Sequence, residues 1–178
     1  MHNTNNQFNK AFYQNTLPQP FHISVGGVLF NDDYDICVHH FFKKDIPEQL
    51  HFLADYQDEI YHLMRESLEG DESLQDAVLR GLKEEFGIEG LVDKYLGAKI
   101  DIITGPNQRP FEKLTIYHSA KLTSQGERLN FDIESRSKME WYSPQDLLKI
   151  FEAQTVKTKR PELDERVIIE RFIEVYKL

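Results

Sequence analysis

Apolar residues in the first part of the chain have the spacing and composition of paired β-strands. The runs ISVGGVLF at 23–30 and ICVHHFFK at 36–43 are rich in β-branched and aromatic residues, and the turn residues NDD lie between them. They predict a β-hairpin. The Gly26-Gly27 pair inside the first run indicates a close backbone approach or a bulge.

A helical spacing of apolar residues follows at 73–87. Ser73 is a good N-cap, and Asp76 three residues later makes an approximate capping box. Gly87 suits the left-handed residue that ends a helix. The predicted apolar face consists of Leu74, Ala77, Val78 and Leu82.

The segment before this helix has two interpretations. Its apolar residues at 53–63 fit helical spacing, whereas the shorter run at 59–64 also fits a strand. We favour the strand, which makes the residues before it an insertion of one or two helical turns.

The second half of the chain predicts three strands and two helices. The strands are expected at 94–104, 113–122 and 139–142, with turns at 105–107 and 124–127. A cap-then-proline start at Ser143-Pro144 predicts a helix to about residue 152. A linker at 153–161 and a final amphipathic helix at 162–177 complete an α/β fold of the α+β type, with a mixed sheet between helices.

Length and charge place limits on organisation and partners. The 178 residues suit one domain, expected at 21–178 with C-terminal helices from about 144, after a flexible arm at 1–20 rich in Asn and Gln. The net charge of −9 argues against non-specific binding of nucleic acid.

No apolar run is long enough to span a membrane, and we expect a cytoplasmic protein. Cys37, in an apolar run, is expected to be a buried structural thiol. The oligomeric state is open, a homodimer included.

Candidate chemistry lies at the end of the 73–87 helix. Glu84 and Glu85 are adjacent carboxylates on the last turn, where the helix carries partial negative charge. Such a placement requires a compensating cation, which could be Arg80 or a bound metal ion.

Residues 66–88 resemble the Nudix box of the Nudix (MutT-like) hydrolases, whose pattern is G-x5-E-x7-R-E-U-x-E-E-x-G-U. Two positions depart from it: Glu66 stands at the first glycine, preceded by Arg65 where a second glycine is usual, and Gly81 stands at the glutamate after the arginine. The seven matching positions are Glu72, Arg80, Leu82, Glu84, Glu85, Gly87 and Ile88.

The resemblance implies a Nudix fold over roughly residues 21–152 and a Mg²⁺ or Mn²⁺ site. In the family, carboxylates on one face of the box helix bind the metal, a role that falls here to Glu84 and Glu85, with Arg80 orienting them. Glu134, on a loop before a tryptophan strand, would complete the ligand set or act as base. Glu66 is either an exposed loop acid or the carboxylate that Gly81 lacks. Supporting roles near the site fall to Glu69 and Glu72.

Other polar residues are interpreted as structural or surface groups. His39 and His40 are neighbours on a strand and face opposite sides, and with His51 and His62 they form no recognised metal-binding spacing. The Lys157–Arg160 cluster is either a solvated linker or a phosphate contact.

Three functions remain open. The first is metal-dependent hydrolysis of a nucleoside diphosphate linked to another group, which we favour slightly. The second is a catalytically impaired Nudix domain that binds a nucleotide or a protein partner without turnover. The third, a structural α/β module without a ligand, does not explain the spaced R-x-x-x-E-E and ranks last.

Overall fold

The computed structural model describes residues 21–45, 59–70, 72–104, 110–128 and 133–178. The arm expected at 1–20, most of the insertion expected before residue 59 and the turn at 105–107 lie outside these residues. Within the described part of the chain, no helix combines the length and the apolar character needed to cross a membrane.

Seven described strands form one mixed sheet with three α-helices around it, which confirms the predicted fold class. The main strand order is β3-β2-β1-β6-β5, with β4 paired to β1 and β7 paired to β2. The strands are β1 (Phe21–Phe30), β2 (Ile36–Phe42), β3 (Glu59–His62), β4 (Met64–Ser67), β5 (Ile88–Thr104), β6 (Pro110–Gln125) and β7 (Lys138–Tyr142). The helices are α1 (Leu74–Phe86), α2 (Pro144–Thr158) and α3 (Arg166–Tyr176).

Strand β1 is the centre of the sheet, and its alternating side chains build both cores. Val25 and Leu29 pack into the cluster beneath α1, whereas Val28 and Phe30 pack into the cluster beneath α2 and α3. The predicted close approach at the glycine pair is confirmed, because a Cβ on Gly26 would lie 2.3 Å from the Tyr117 ring.

Helix α1 begins and ends where the sequence predicts. The Ser73 side chain accepts a hydrogen bond from the Asp76 amide and the Asp76 side chain accepts one from the Ser73 amide, so the capping box is complete. Gly87 ends the helix at φ 66°, in the left-handed region. The buried face of α1 fixes which of its carboxylates point inward.

The predicted linker at 153–161 is wrong, since α2 continues to Thr158. The extra turn is held by Gln154, whose side chain accepts a hydrogen bond from the Tyr61 amide at 2.7 Å and donates one to the Tyr61 carbonyl at 2.8 Å. A short 3₁₀ turn at Pro161–Leu163 follows, so α3 begins at Arg166 and not at 162.

Several strands differ in length from their predictions. β5 begins at Ile88 and not at 94, because it pairs with the equally extended β6 along almost its whole length. The strand predicted at 59–64 is present but divided, since β3 pairs with β2 and β4 pairs with β1. As a result, Arg65 and Glu66 lie in a strand of the sheet and not in a loop.

Candidate active site

Arg80 is the hub of the acidic residues around α1. Its Nε and Nη2 donate to the two carboxylate oxygens of Glu72 at 3.1 and 2.9 Å, and Nη2 also donates to the Ser67 carbonyl at 2.8 Å. Its Nη1 donates to Glu84, four residues further along the helix, at 3.2 Å, so Arg80 is a compensating cation for this carboxylate. The hydrogen bonds to Glu72, followed by the charges of Glu66 and Glu69, raise the pKa of Arg80.

The supporting acids also lie near this guanidinium. Nη1 of Arg80 is 3.4 Å from Glu66 Oε2 and 3.7 Å from Glu69 Oε1. Glu72 in turn accepts a hydrogen bond from the Glu69 amide at 2.7 Å, so it braces the loop that leads into α1. One arginine therefore gathers four carboxylates at one end of the box.

Glu85 points away from this group and into the protein. Its side chain is 6% exposed, and Oε2 lies 2.6 Å from Nε2 of the fully buried His39 on β2. Glu84, in contrast, is 42% exposed. The structure therefore separates the two adjacent glutamates, with Glu84 paired to Arg80 and Glu85 paired to His39.

A buried chain of hydrogen bonds continues beyond His39. Its Nδ1 lies 2.7 Å from Ser137 Oγ, which donates to the Glu134 carbonyl at 2.8 Å. Because the hydroxyl proton goes to that carbonyl, Nδ1–H is the donor to Ser137 and Nε2 accepts from Glu85 when the imidazole is neutral. Arg128 donates to backbone carbonyls of Glu85, Glu134 and Ser137 and so ties α1 to the 3₁₀ turn Ile133–Arg136.

The pKa directions agree with a neutral pair. Burial, followed by the charges of Glu134 and Glu66, raises the pKa of Glu85 well above its usual range. Burial, followed by the charges of His62 and Arg128, holds the pKa of His39 well below its usual range. The Glu85 carboxyl group is therefore buried and lies near two other acidic side chains, Glu134 and Glu66.

Glu66 belongs to the same electrostatic group. Its side chain is 23% exposed, and burial is the main cause that raises its pKa. The Ser67 amide and the charge of Arg80 oppose this increase, and the charges of Glu84 and Glu134 add to it. The charges of Glu84 and Glu134 thus act on Glu66, and those of Glu134 and Glu66 act on Glu85. Among the residues that the structure describes, no three His, Cys, Asp or Glu side chains are already arranged around a point that could hold a metal ion.

Arg65 lies on the opposite face of the sheet from its neighbour Glu66. Its Nε is 3.6 Å from Oε1 of Glu165, which is fully buried. Glu165 also accepts hydrogen bonds from the Leu63 amide at 2.7 Å and the Tyr117 hydroxyl at 2.8 Å. The residue before α3 is therefore tied directly to the strand that carries Glu66.

Three members of this site were not predicted from the sequence: His39, Arg128 and Ser137. His39 was correctly placed on the face opposite His40, which pairs with Glu59 and Glu140. Its link to Glu85 spans 46 positions and has no local sequence signal. The one usable signal was that His39 lies two residues from each of the apolar residues Cys37 and Phe41 on a strand, and therefore shares a face with them.

Comparisons with known proteins give a consistent result. A family model described as NUDIX domain matches residues 20–165. The MutT protein of Methanosarcina mazei Go1 superposes with a TM-score of 0.61 at 18% identity, over 89% of this chain and 97% of that one. A NUDIX hydrolase from Nitrosomonas europaea gives 0.60 at 18% identity, over 86% and 89%. The ORF135 protein of E. coli gives 0.56 at 19% identity, over 88% and 91%. At these identities the structures show a shared fold. No curated protein gave a significant match in sequence.

Proposed function

The chain belongs to the NUDIX domain family, and from that premise we propose that it is a metal-dependent pyrophosphohydrolase. Its substrate would be a nucleoside diphosphate linked to another group. The observation that carries this proposal is that Glu66, Glu84, Glu85 and Glu134 lie near the end of α1, where Arg80 is the counter-ion of Glu66 and Glu84.

The donor set fits Mg²⁺ or Mn²⁺ in kind. These ions take oxygen ligands, and the cluster offers carboxylates without a thiol or a free imidazole. Burial, and after it the charges of neighbouring glutamates, raises the pKa values of Glu66 and Glu85. A divalent cation would stabilise the ionised forms of both. Binding would require Glu84 to exchange its contact with Arg80, and Glu85 its contact with His39, for the ion.

Each residue has a role that follows from its position. Glu84 and Glu85 would hold the metal. Before the ion binds, Arg80 keeps Glu84 at the site through its contact at 3.2 Å, while Glu72 anchors the guanidinium. Glu134, whose backbone Arg128 and Ser137 fix, would accept the proton of the attacking water or join the ligand set. The bound ion would polarise the diphosphate and lower the pKa of a water molecule.

The proposal is tested by assaying nucleoside diphosphate sugars, dinucleoside polyphosphates and nucleoside triphosphates with Mg²⁺, with Mn²⁺ and with EDTA. We expect turnover of at least one class that EDTA abolishes. Glu85→Gln should remove that turnover, whereas the exposed Glu89→Gln, three residues beyond the helix end, should keep it. Metal-dependent activity that survives Glu85→Gln would contradict the assignment.

A second function is favoured by the contacts of Arg80 and by the two departures from the box. If the guanidinium holds Glu66 and Glu84 permanently, the domain would bind a nucleotide or a protein partner without turnover. Under this alternative a nucleotide raises the melting temperature in EDTA as much as in Mg²⁺, and no substrate is consumed. Substantial hydrolysis by the purified protein would exclude it.

A further inference from the structure

Strand β4 presents its side chains alternately to the two faces of the sheet. Met64 and Glu66 share the face covered by α1, as does Val25, the cross-strand partner of Glu66. Arg65, opposite Gly26, points to the other face. The register of one short strand therefore directs the Glu66 side chain at helix α1.

Gly81 is the position of α1 that faces this strand. A Cβ built on Gly81 would lie 3.0 Å from the Cβ of Glu66 and 2.7 Å from the sulfur of Met64. These separations are shorter than ordinary packing contacts, so Met64 and Glu66 of strand β4 would have to shift to admit a side chain at position 81. Glycine in the middle of a helix costs about 1 kcal/mol relative to alanine, and this close approach is a sufficient reason for it.

The two departures from the box pattern are therefore in contact with each other. The chain lacks a helix carboxylate at Gly81 and has an extra carboxylate at Glu66, and the second fills the space beside the first. From there the Glu66 carboxylate contacts the same guanidinium nitrogen as Glu84 does, because Glu66 Oε2 is 3.4 Å and Glu84 Oε2 is 3.2 Å from Nη1 of Arg80.

We propose that Glu66 replaces the helix carboxylate absent at Gly81 and is a metal ligand of the site. The box pattern has glutamates at the helix positions that correspond to Gly81, Glu84 and Glu85. In this chain the ligands would be the two helix residues Glu84 and Glu85 and the strand residue Glu66. This inference rests on the proposed metal-dependent function, and it identifies a residue that the box pattern does not contain.

The test is a Mn²⁺ titration followed by electron paramagnetic resonance of the free ion. It compares the unaltered protein with Glu66→Gln, Glu66→Gly, Gly81→Glu and the double variant Glu66→Gly/Gly81→Glu. Glu89→Gln removes an exposed carboxylate and controls for net charge. Melting temperatures of all variants report folding independently of the metal.

We expect Glu66→Gln to weaken Mn²⁺ binding at least tenfold, since loss even of a supporting group costs about 10–100-fold. Its melting temperature in EDTA should stay close to that of the unaltered protein. Gly81→Glu alone should melt lower, because of the contacts with Glu66 and Met64. The double variant should bind Mn²⁺ at least tenfold more tightly than Glu66→Gly, since the carboxylate returns to the helix, the close contact with the Glu66 Cβ is removed and the flexible Met64 side chain can shift.

Three results would overturn the proposal, and they separate it from the function on which it rests. Unchanged Mn²⁺ affinity in Glu66→Gln would remove Glu66 from the ligand set and leave the metal site intact. A folded double variant that binds no better than Glu66→Gly would show that the two positions do not exchange roles. Absence of Mn²⁺ binding by the unaltered protein would reject both the ligand and the proposed metal-dependent function.

Discussion

The imidazole Nε2 of His39 lies 2.6 Å from Oε2 of Glu85, and both side chains are almost fully shielded from solvent. This contact joins the central sheet to the last turn of α1. It holds one of the two adjacent glutamates inside the protein, while Glu84 remains at the surface with Arg80. The site is therefore asymmetric, because Glu85 has a fully buried partner and Glu84 has a charged, partly exposed one.

We predict that His39→Ala destabilises the protein by about 3–5 kcal/mol, because it leaves Glu85 and Ser137 buried without their partner and opens a cavity. Urea denaturation monitored by circular dichroism measures the loss. His40→Ala, the neighbouring residue on the same strand, should cost distinctly less, since its partners Glu59 and Glu140 can rehydrate at the surface. Equal losses in the two variants would show that the buried contact of His39 with Glu85 contributes no more to stability than the surface contacts of His40.

Removal of the guanidinium should expose the repulsion among the acids around it. We predict that Arg80→Gln lowers the free energy of unfolding by about 2–3 kcal/mol, because several charge-assisted hydrogen bonds are lost together. Mg²⁺ should then raise the melting temperature of this variant more than that of the unaltered protein, since a cation replaces the lost charge. The exposed Lys83→Gln on the same helix is the control. A variant as stable as this control would contradict the role of Arg80 as the hub.

Glu165 should be essential for the docking of α3. We predict that Glu165→Gln costs about 3–5 kcal/mol, because an amide cannot accept from both Leu63 and Tyr117 while balancing Arg65 in a buried setting. Amide hydrogen exchange at Leu63 should accelerate in the variant. The exposed Glu170→Gln, on α3 itself, should leave stability and exchange unchanged. Full protection of the Leu63 amide in Glu165→Gln would show that the carboxylate is not its anchor.

Much of the fold could be predicted because local signals agreed with the tertiary structure. The capping box at Ser73 and the glycine stop at Gly87 determine α1, and the alternation in β1 directs its side chains to two cores. The error at 153–161 arose because polar residues usually indicate a loop. Here Gln154 and Thr158 are buried, and the bonds of Gln154 to the backbone of Tyr61 could not be read from sequence.

Only the part of the candidate site that lies within the box, residues 66–88, could be predicted from the sequence. The pattern indicated Arg80, Glu72 and Glu84 as neighbours, and the structure brings them together. It treated Glu84 and Glu85 as equivalent, because sequence spacing does not show which side of a helix end is covered. Long-range contacts separate them, and those contacts come from β2 and from the turn at Ile133–Arg136.

Acid should destabilise the protein through His62. Burial, followed by the charge of Arg65, lowers the pKa of His62 from 6.5 to about 3. Between these values the unfolded chain binds a proton that the folded protein does not, so stability falls as pH decreases from 6.5 towards 3. At about 1.4 kcal/mol for each pKa unit, the contribution is at most about 5 kcal/mol.

This pH dependence is measured by comparing urea denaturation of the unaltered protein and His62→Gln at several pH values in that window. As pH falls, the unaltered protein should lose more unfolding free energy than His62→Gln does, since glutamine takes up no proton in the unfolded chain. A difference that is independent of pH would show that His62 titrates normally in the folded state.

The proposed hydrolysis at phosphorus is tested most directly by turnover in ¹⁸O-labelled water with Mg²⁺, with the products analysed by mass spectrometry. The account predicts that one phosphate-bearing product gains an oxygen from water in the unaltered protein and that EDTA or Glu84→Gln suppresses this labelling. A nucleotide that stabilises the protein yet is recovered intact and unlabelled, across all three substrate classes, would contradict the account and identify a binding domain without turnover.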